Sequence, residues 1–321
     1  MKIAFIFAGQ GSQYIGMGRE LYENFSKCRD MFDRADEVLG FKITELIFSG
    51  TKEELDITEN TQPAILLTSI AALKAFEESN IKPEVVAGLS LGEYSALVAS
   101  GAIDFEEALR LVKKRGRFMQ EEVAIGGGAM SAIIGLPLDK INLAIEKASF
   151  KGIVEIANYN TNNQIVIGGD REAVKIAEEF CLEYGAKRAI ELKVSGPFHT
   201  SLLKGASIKL KKELEKIEFN EPKIKVITSV TADFIKSKDE IKGLLERQVK
   251  SSVRWSETIE KMLDMDVDTF VEFGPGRVLS SFVKEISREK KLKVNIFNVE
   301  DMKSLNKVLD EVKKWLKIKM Q

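Results

Sequence analysis

GLSLGEY, residues 88 to 94, sets a serine between two glycines where an apolar run stops and a helix-like run begins. The run before it, Val85 to Leu89, is short, apolar and β-branched at its start, whereas Leu91 to Ser100 is rich in small and helix-forming residues. The local reading is strand, sharp turn, helix, with Ser90 at the turn. In a G-x-S-x-G turn the two glycines let strand and helix backbones approach closely, while the central residue takes a strained conformation that pushes its side chain outward. The helix opens beside the serine, where its N–H groups can hold an oxygen that becomes negative. Ser90 is therefore a candidate nucleophile. The competing reading is a small-residue turn that only packs well.

Working outward, strand and helix patterns alternate. Ile3 to Phe7 reads as a strand followed by the turn of Gly9 and Gly11, and helical patterns cover Met17 to Phe25, Arg29 to Val38 and Pro63 to Glu78, the last with Thr61 as cap and Pro63 in the first turn. After the N-cap candidate Asp104 a long helix runs towards Ala124, until the glycines 126 to 128 break it. The pattern then becomes strand (Ala129 to Leu136), helix (Leu138 to Ser149), strand (Ile153 to Tyr159), strand (Gln164 to Gly168), helix (Arg171 to Tyr184) and strand (Lys187 to Val194), the ferredoxin-like order. A helix from near His199 to Ile217 follows, then a strand at Val226 to Ser229, helices near Lys238 to Lys250 and Ser256 to Met265, and a strand at Thr269 to Phe273. Helix, strand (Val294 to Val299) and helix close the chain. The expectation is an α/β fold: a large, mostly parallel domain from residues 1–126 and 197–321, with a small ferredoxin-like subdomain at 127–196 inserted into it. In such sheets ligands bind at the carboxyl ends of strands, so Ser90, the Gly9 to Gln13 turn and the Gly274 to Gly276 turn are expected to line one crevice.

Composition narrows the function classes. A chain of 321 residues with 44% hydrophobic content buries a large core. With 48 Lys plus Arg against 49 Asp plus Glu there is no basic excess, and nucleic acid is not an expected partner. No stretch approaches the roughly 18 uninterrupted apolar residues of a membrane helix, and the apolar run Ile3 to Ala8 is too short for a signal segment. Cys28 and Cys181 both fall in amphipathic helical patterns, as reduced core thiols of a cytoplasmic protein would.

The chain has one histidine, His199, in VSGPFHTS at the expected junction of subdomain and large domain. If Ser90 needs an imidazole to take its proton, His199 is the single candidate; a hydrogen-bonded structural histidine is the alternative. Two distant cysteines and one histidine do not make a zinc site. GQGSQY has tyrosine where a dinucleotide loop needs its third glycine, and no P-loop GK[ST] occurs.

Six ordered motifs now carry a resemblance: GQGSQ at 9–13, GLSLGEYSAL at 88–97, RGRFMQ at 115–120, GPFHT at 196–200, RQ at 247–248 and EFGPG at 272–276. Together they resemble the malonyl-CoA:acyl carrier protein transacylases over essentially the whole chain. The resemblance implies an α/β-hydrolase-like core with a ferredoxin-like subdomain. It implies Ser90 as nucleophile, His199 as its base, the main-chain carbonyl of Gln248 orienting the imidazole, and the backbone N–H groups of Gln10 and Leu91 as the oxyanion hole. Arg115 would grip the free carboxylate of malonate, and Phe198 is similar to the residue of malonyl-selective members. Asn158 and Asn160 resemble an asparagine segment lining the site. The implied substrate is malonyl-CoA, and the acceptor is the phosphopantetheine thiol of an acyl carrier protein, a transient partner; no bound cofactor and no metal are implied. Arg277, Lys284 and the KKLK run at 290–293 are candidates for docking that acidic carrier. One departure stands out: many relatives carry histidine directly before the serine, where this chain has Leu89. A discrete acyltransferase of a polyketide assembly line shares all these motifs, and a serine thioesterase or esterase shares the elbow and the histidine.

Overall fold

The computed structural model describes residues 2–122, 127–194 and 196–319. Ala124, Gly126 and Ser195, which figure in the expected helix end, glycine break and histidine motif, lie outside the described residues. The chain divides into two compact units, one of Met1–Lys113, Asn220–Ile227 and Met262–Gln321, the other of Lys114–Phe219 and Thr228–Lys261. The second is wider than the segment 127–196 and contains it. Its strands and those of the first unit are, in chain order, β1 (Ile3–Phe7), β2 (Val85–Gly88), β3 (Gly128–Ile134), β4 (Val154–Thr161), β5 (Gln164–Asp170), β6 (Arg188–Glu191), β7 (Lys225–Thr228), β8 (Asp233–Phe234), β9 (Thr269–Phe273) and β10 (Asn295–Val299).

In the first unit, parallel pairings set the order β10-β9-β1-β2-β7. Every residue of β1, β2 and β9 is buried, as in a parallel sheet covered on both faces. The helix Thr58–Phe76 is buried along nearly its whole length. Its last residue, Phe76, meets Phe5 of β1 and Phe273 of β9 edge-on, with ring centres 5.7 and 5.4 Å apart, an arrangement favoured by the ring quadrupoles.

The two glycines of GLSLGEY have a specific steric reason. A Cβ on Gly88 would lie 1.9 Å from the carbonyl carbon of Gly92, and a Cβ on Gly92 would lie 2.1 Å from the carbonyl oxygen of Phe7 in β1. Only bare backbone fits where β2 turns into the helix Gly92–Ala99 against β1.

The second unit holds an antiparallel sheet in the order β4-β5-β3-β6. The helices Leu138–Ala148 and Arg171–Glu183 lay Ile141, Ala144, Ala177 and Cys181 against Ile133 and Ile167 of the sheet, and the small alanines bring helix and strand close. The register of β4 shifts between Ile156 and Asn158. There the Tyr159 N–H donates to the Val253 carbonyl and the Val253 N–H to the Ala157 carbonyl, both at 2.8 Å. The segment after the helix Lys238–Gln248 is thereby tied to β4.

Several local expectations need correction. Thr61 is not a cap: the helix begins at Thr58, and the Thr61 hydroxyl sits within it, donating to the carbonyls of Leu55 and Ile57 at 2.6 and 3.0 Å. Pro63 accordingly falls in the second turn, where its missing N–H leaves the Glu59 carbonyl without the usual donor. Two short helices, Ile43–Ser49 and Lys52–Leu55, were not expected, the second started by a capping box of Thr51 and Glu54. The helix after His199 starts only at Lys204, following a turn at Ser201–Leu203. Asp104 does cap its helix, its carboxylate accepting from the Glu106 N–H at 2.8 Å. Cys28 and Cys181 are buried and unbridged, and burial pushes their thiols up to about 11 and about 12. Among the described residues no helix is long and apolar enough to cross a membrane.

Paired glycine substitutions test the steric account. Gly92→Ala should destabilise by about 3 kcal/mol or more in urea unfolding, because backbone must move. Gly243→Ala, in an exposed helix position with open space around it, should stabilise by about 0.5–1 kcal/mol.

Candidate active site

Each unit holds one part of the expected chemistry. In the first, β9, β1 and β2 are adjacent and parallel, so the loops that follow them leave the same edge of the sheet. Ser90 follows β2 with φ of 53°, a left-handed conformation that a non-glycine residue holds at about 1–2 kcal/mol. Leu91 comes next and opens the helix Gly92–Ala99. The loop after β1 folds back onto this turn: a Cβ on Gly9 would lie 2.6 Å from the Leu89 carbonyl oxygen. Polar contacts fix its course. The Ser12 hydroxyl donates to the Gly9 carbonyl at 2.8 Å, the Gln13 amide to Asp56 at 2.7 Å and the Gln10 side chain to the Thr58 hydroxyl at 3.3 Å. Gln10, Ser90 and Leu91 thus lie on neighbouring turns. The third loop, after β9, is spanned from within the strand by Glu272, whose buried carboxylate accepts from the Leu279 and Ser280 N–H groups at 3.0 and 2.7 Å. Burial pushes that carboxyl up to about 7.

The second unit gathers Arg115, His199 and Gln248. His199 is buried and also left-handed, with φ of 64°. Its Nδ1 lies 2.8 Å from the Gln248 carbonyl oxygen. A carbonyl only accepts, so Nδ1 carries the proton and the lone pair of the neutral ring is on Nε2. The side chain of the same glutamine also has a part: its Oε1 accepts from Arg115 Nη2 at 3.0 Å, and its Nε2 lies 3.4 Å from the Ser229 hydroxyl. Arg115 is 1% exposed, unlike Lys113 and Lys114 beside it, which are partly exposed. Burial first, and then the Arg115 charge, lower the imidazole to about 4. At neutral pH it is uncharged and able to accept a proton. Phe198, 6% exposed, directly precedes it, and Asn158 and Asn160 are buried on β4, the Asn160 amide donating to Gln164 at 2.9 Å. A cavity of about 470 Å³ in this unit is lined by His199 with Glu155, Tyr159, Lys250, Ser251 and Ser252.

Three contributions were not legible in the sequence: the Gln248 amide on Arg115, the Ser229 hydroxyl behind it, and the Glu272 carboxylate of β9 that receives the N–H groups beyond the third loop. Only the glutamate had a signal, a charge inside an otherwise apolar strand pattern.

The single histidine makes the electrostatic reading directly measurable. Proton NMR of the intact protein should show one imidazole with no titration between pH 8 and 5.5. Arg115→Met, which keeps length and removes charge, should move its midpoint upward. A wild-type midpoint near the ordinary 6.5 would contradict the account.

Comparison with known proteins gives the family of the chain. Residues 4–313 match the acyl transferase domain family. The chain is 50% identical over 291 residues to the malonyl CoA-acyl carrier protein transacylase of Bacillus subtilis (strain 168), covering 90% of this chain and 92% of that one. The crystal structure of the malonyl CoA-acyl carrier protein transacylase from Clostridium perfringens superposes with a TM-score of 0.95 at 46% identity, with both chains fully covered (100% each). A malonyl-transacylase solved in complex with a type II PKS acyl-carrier protein superposes with a TM-score of 0.93 at 41% identity, over 97% of this chain and 100% of that one. The chain belongs to the acyl transferase domain family and, within it, to the malonyl CoA-acyl carrier protein transacylases.

Proposed function

We propose that this protein transfers the malonyl group of malonyl-CoA to the phosphopantetheine thiol of an acyl carrier protein, through an ester on Ser90. The observation that carries the mechanism is the contact between His199 Nδ1 and the Gln248 carbonyl, which leaves Nε2 as the base. The Ser90 hydroxyl gives its proton to Nε2 and attacks the thioester carbonyl, and the backbone N–H groups of Gln10 and Leu91 hold the resulting oxyanion. Collapse breaks the carbon–sulfur bond, and the departing coenzyme A thiolate takes the proton from the imidazolium. The carrier thiol then passes its proton to Nε2 and attacks the malonyl ester. Ser90 leaves as the alkoxide, recovers the proton, and the cycle closes with ping-pong kinetics.

Arg115 serves selectivity in this reading. Its planar guanidinium matches a carboxylate fork to fork, which an ammonium does not. Once paired with malonate, its charge is offset, so the imidazole becomes a stronger base as the substrate seats. An acetyl group brings no carboxylate and leaves the cation without that partner, a difference of about 1.5–3 kcal/mol. Phe198 supports selectivity for malonyl over branched groups by its family position.

The same reading covers the finer architecture. The first unit is α/β-hydrolase-like, and the segment 127–196 is a ferredoxin-like subdomain in a large domain of 1–126 and 197–321. Its support is the strand–helix–strand–strand–helix–strand order from β3 to β6 and the sheet order β4-β5-β3-β6. The site of action is the cytoplasm, where carrier and coenzyme A thioester meet. The similarity to a transacylase solved with a type II PKS carrier keeps polyketide carriers as acceptors beside those of fatty acid synthesis.

Incubation with malonyl-CoA followed by peptide mass mapping should place a malonyl adduct on Ser90, discharged by carrier thiol faster than by water. Ser90→Ala should abolish it, with transfer reduced by about 10³-fold or more. An adduct elsewhere, or full transfer by the variant, refutes the mechanism. Arg115→Ala should reduce the preference for malonyl-CoA over acetyl-CoA by about ten- to a hundredfold in kcat/KM.

A further inference from the structure

The carboxyl edge of the first sheet contains a charged group to which the expected chemistry gives no role. Glu300 follows β10, and its side chain is 14% exposed. Oε2 accepts from the Gly276 N–H at 2.9 Å and from the Tyr14 hydroxyl at 3.3 Å. Oε1 accepts from the Asn298 amide at 3.1 Å and lies 3.6 Å from Arg277 Nε. One carboxylate thus collects donors from the loop after β1, the loop after β9 and β10 itself. Its own backbone is fixed, because the Glu300 N–H donates to the Ser304 hydroxyl at 3.1 Å and the Ser304 N–H to Asp301 at 2.7 Å.

These contacts bear on Gln10. The loop Gly9–Tyr14 is held near its start by Ser12 on Gly9 and by Gln13 on Asp56, and at its far end by Tyr14 on Glu300. Ser12 and Gly276 are neighbours: a Cβ on Gly276 would lie 3.7 Å from that of Ser12. The Tyr14 phenol is pushed above its ordinary value, by burial first and then by the Glu300 charge, so it stays protonated and remains a donor. A donor to an oxyanion works only if its place is set before charge develops, and losing one such donor costs about 10²–10³-fold in rate.

We propose that Glu300 is a positioning residue: by clamping the Tyr14 loop to the Gly276 loop, it holds the Gln10 N–H where the oxyanion forms. This rests on the proposed role of Gln10. Glu300→Gln preserves the shape but replaces one acceptor by an amide donor that faces N–H or O–H groups, so the clamp opens. Tyr14→Phe deletes one strand of the clamp at a half-exposed site.

The test is rapid-mixing measurement of Ser90 acylation by malonyl-CoA, in the full chain, with substrate affinity fitted separately and folding followed by circular dichroism and thermal midpoint. The expected result is an acylation rate lowered by about tenfold or more in Glu300→Gln and by about threefold in Tyr14→Phe, with the apparent substrate affinity within about twofold of wild type in both. A folded Glu300→Gln protein that acylates at the wild-type rate overturns the proposal, and so does a loss confined to affinity. If Glu300→Gln does not fold, Tyr14→Phe decides by the same criterion. Failure of the underlying reading is separately visible, since wild-type protein would then form no ester on Ser90.

Discussion

The backbone of Gly88 runs so close to that of Gly92 that no side-chain carbon fits between them, and Gly92 lies equally close to Phe7. Everything at the carboxyl edge of the first sheet depends on that approach. With the strand, the helix start and β1 in backbone contact, the one intervening segment is too short to relax, and Ser90 is held in the left-handed region. The strain of one residue, about 1–2 kcal/mol, is small beside the packing of the buried strands and the aromatic cluster behind them. A rigid sheet can therefore impose it. The loop of Gly9 completes the arrangement by packing against Leu89, against both its carbonyl oxygen and its side chain.

In the second unit the governing element is a residue used twice. Gln248 offers its main-chain carbonyl to the imidazole and its side-chain oxygen to Arg115. The main-chain carbonyl fixes the imidazole tautomer through an acceptor without charge, whatever side chain the residue carries. A carboxylate side chain in place of the amide would act on the arginine instead, offsetting its charge. The neutral amide orients the guanidinium while leaving it cationic.

Strands and catalytic candidates were legible in the sequence to different depths. Ile3–Phe7 and Thr269–Phe273 form strands with the bounds expected, because apolar, β-branched runs ending in glycine have few other structures open to them. Thr61 was misplaced because a threonine before Pro63 has the look of a cap, yet the buried helix starts earlier, where tertiary packing outweighs the local signal. The helices Ile43–Ser49 and Lys52–Leu55 are too short for their periodicity to stand out. Ser90 and His199 could be picked out because each is singular, one by its glycines and the other by being the only histidine. Glu300 could not, since NVED resembles any strand end; its significance comes from Tyr14 and Gly276, 286 and 24 residues away in the chain.

Arg115 in the second unit and Glu300 in the first act in opposite directions on the groups beside them, the cation lowering the proton affinity of His199 and the carboxylate raising that of Tyr14. Arg115 is buried beside a base and lowers its proton affinity, a handicap for catalysis if nothing offset it. In the proposed mechanism a substrate that carries a carboxylate offsets it, so base strength and substrate identity would be linked through one guanidinium: the acyl group that restores the base would also be the one the cation selects. On that mechanism a neutral acyl group in the same site would find the imidazole at its weakest. Selectivity of this kind would need no closing lid and no second proofreading site, because discrimination would lie in the proton transfer itself. It also accounts for why the cation must be fully buried, where solvent would otherwise screen it from the imidazole and reduce the coupling to little.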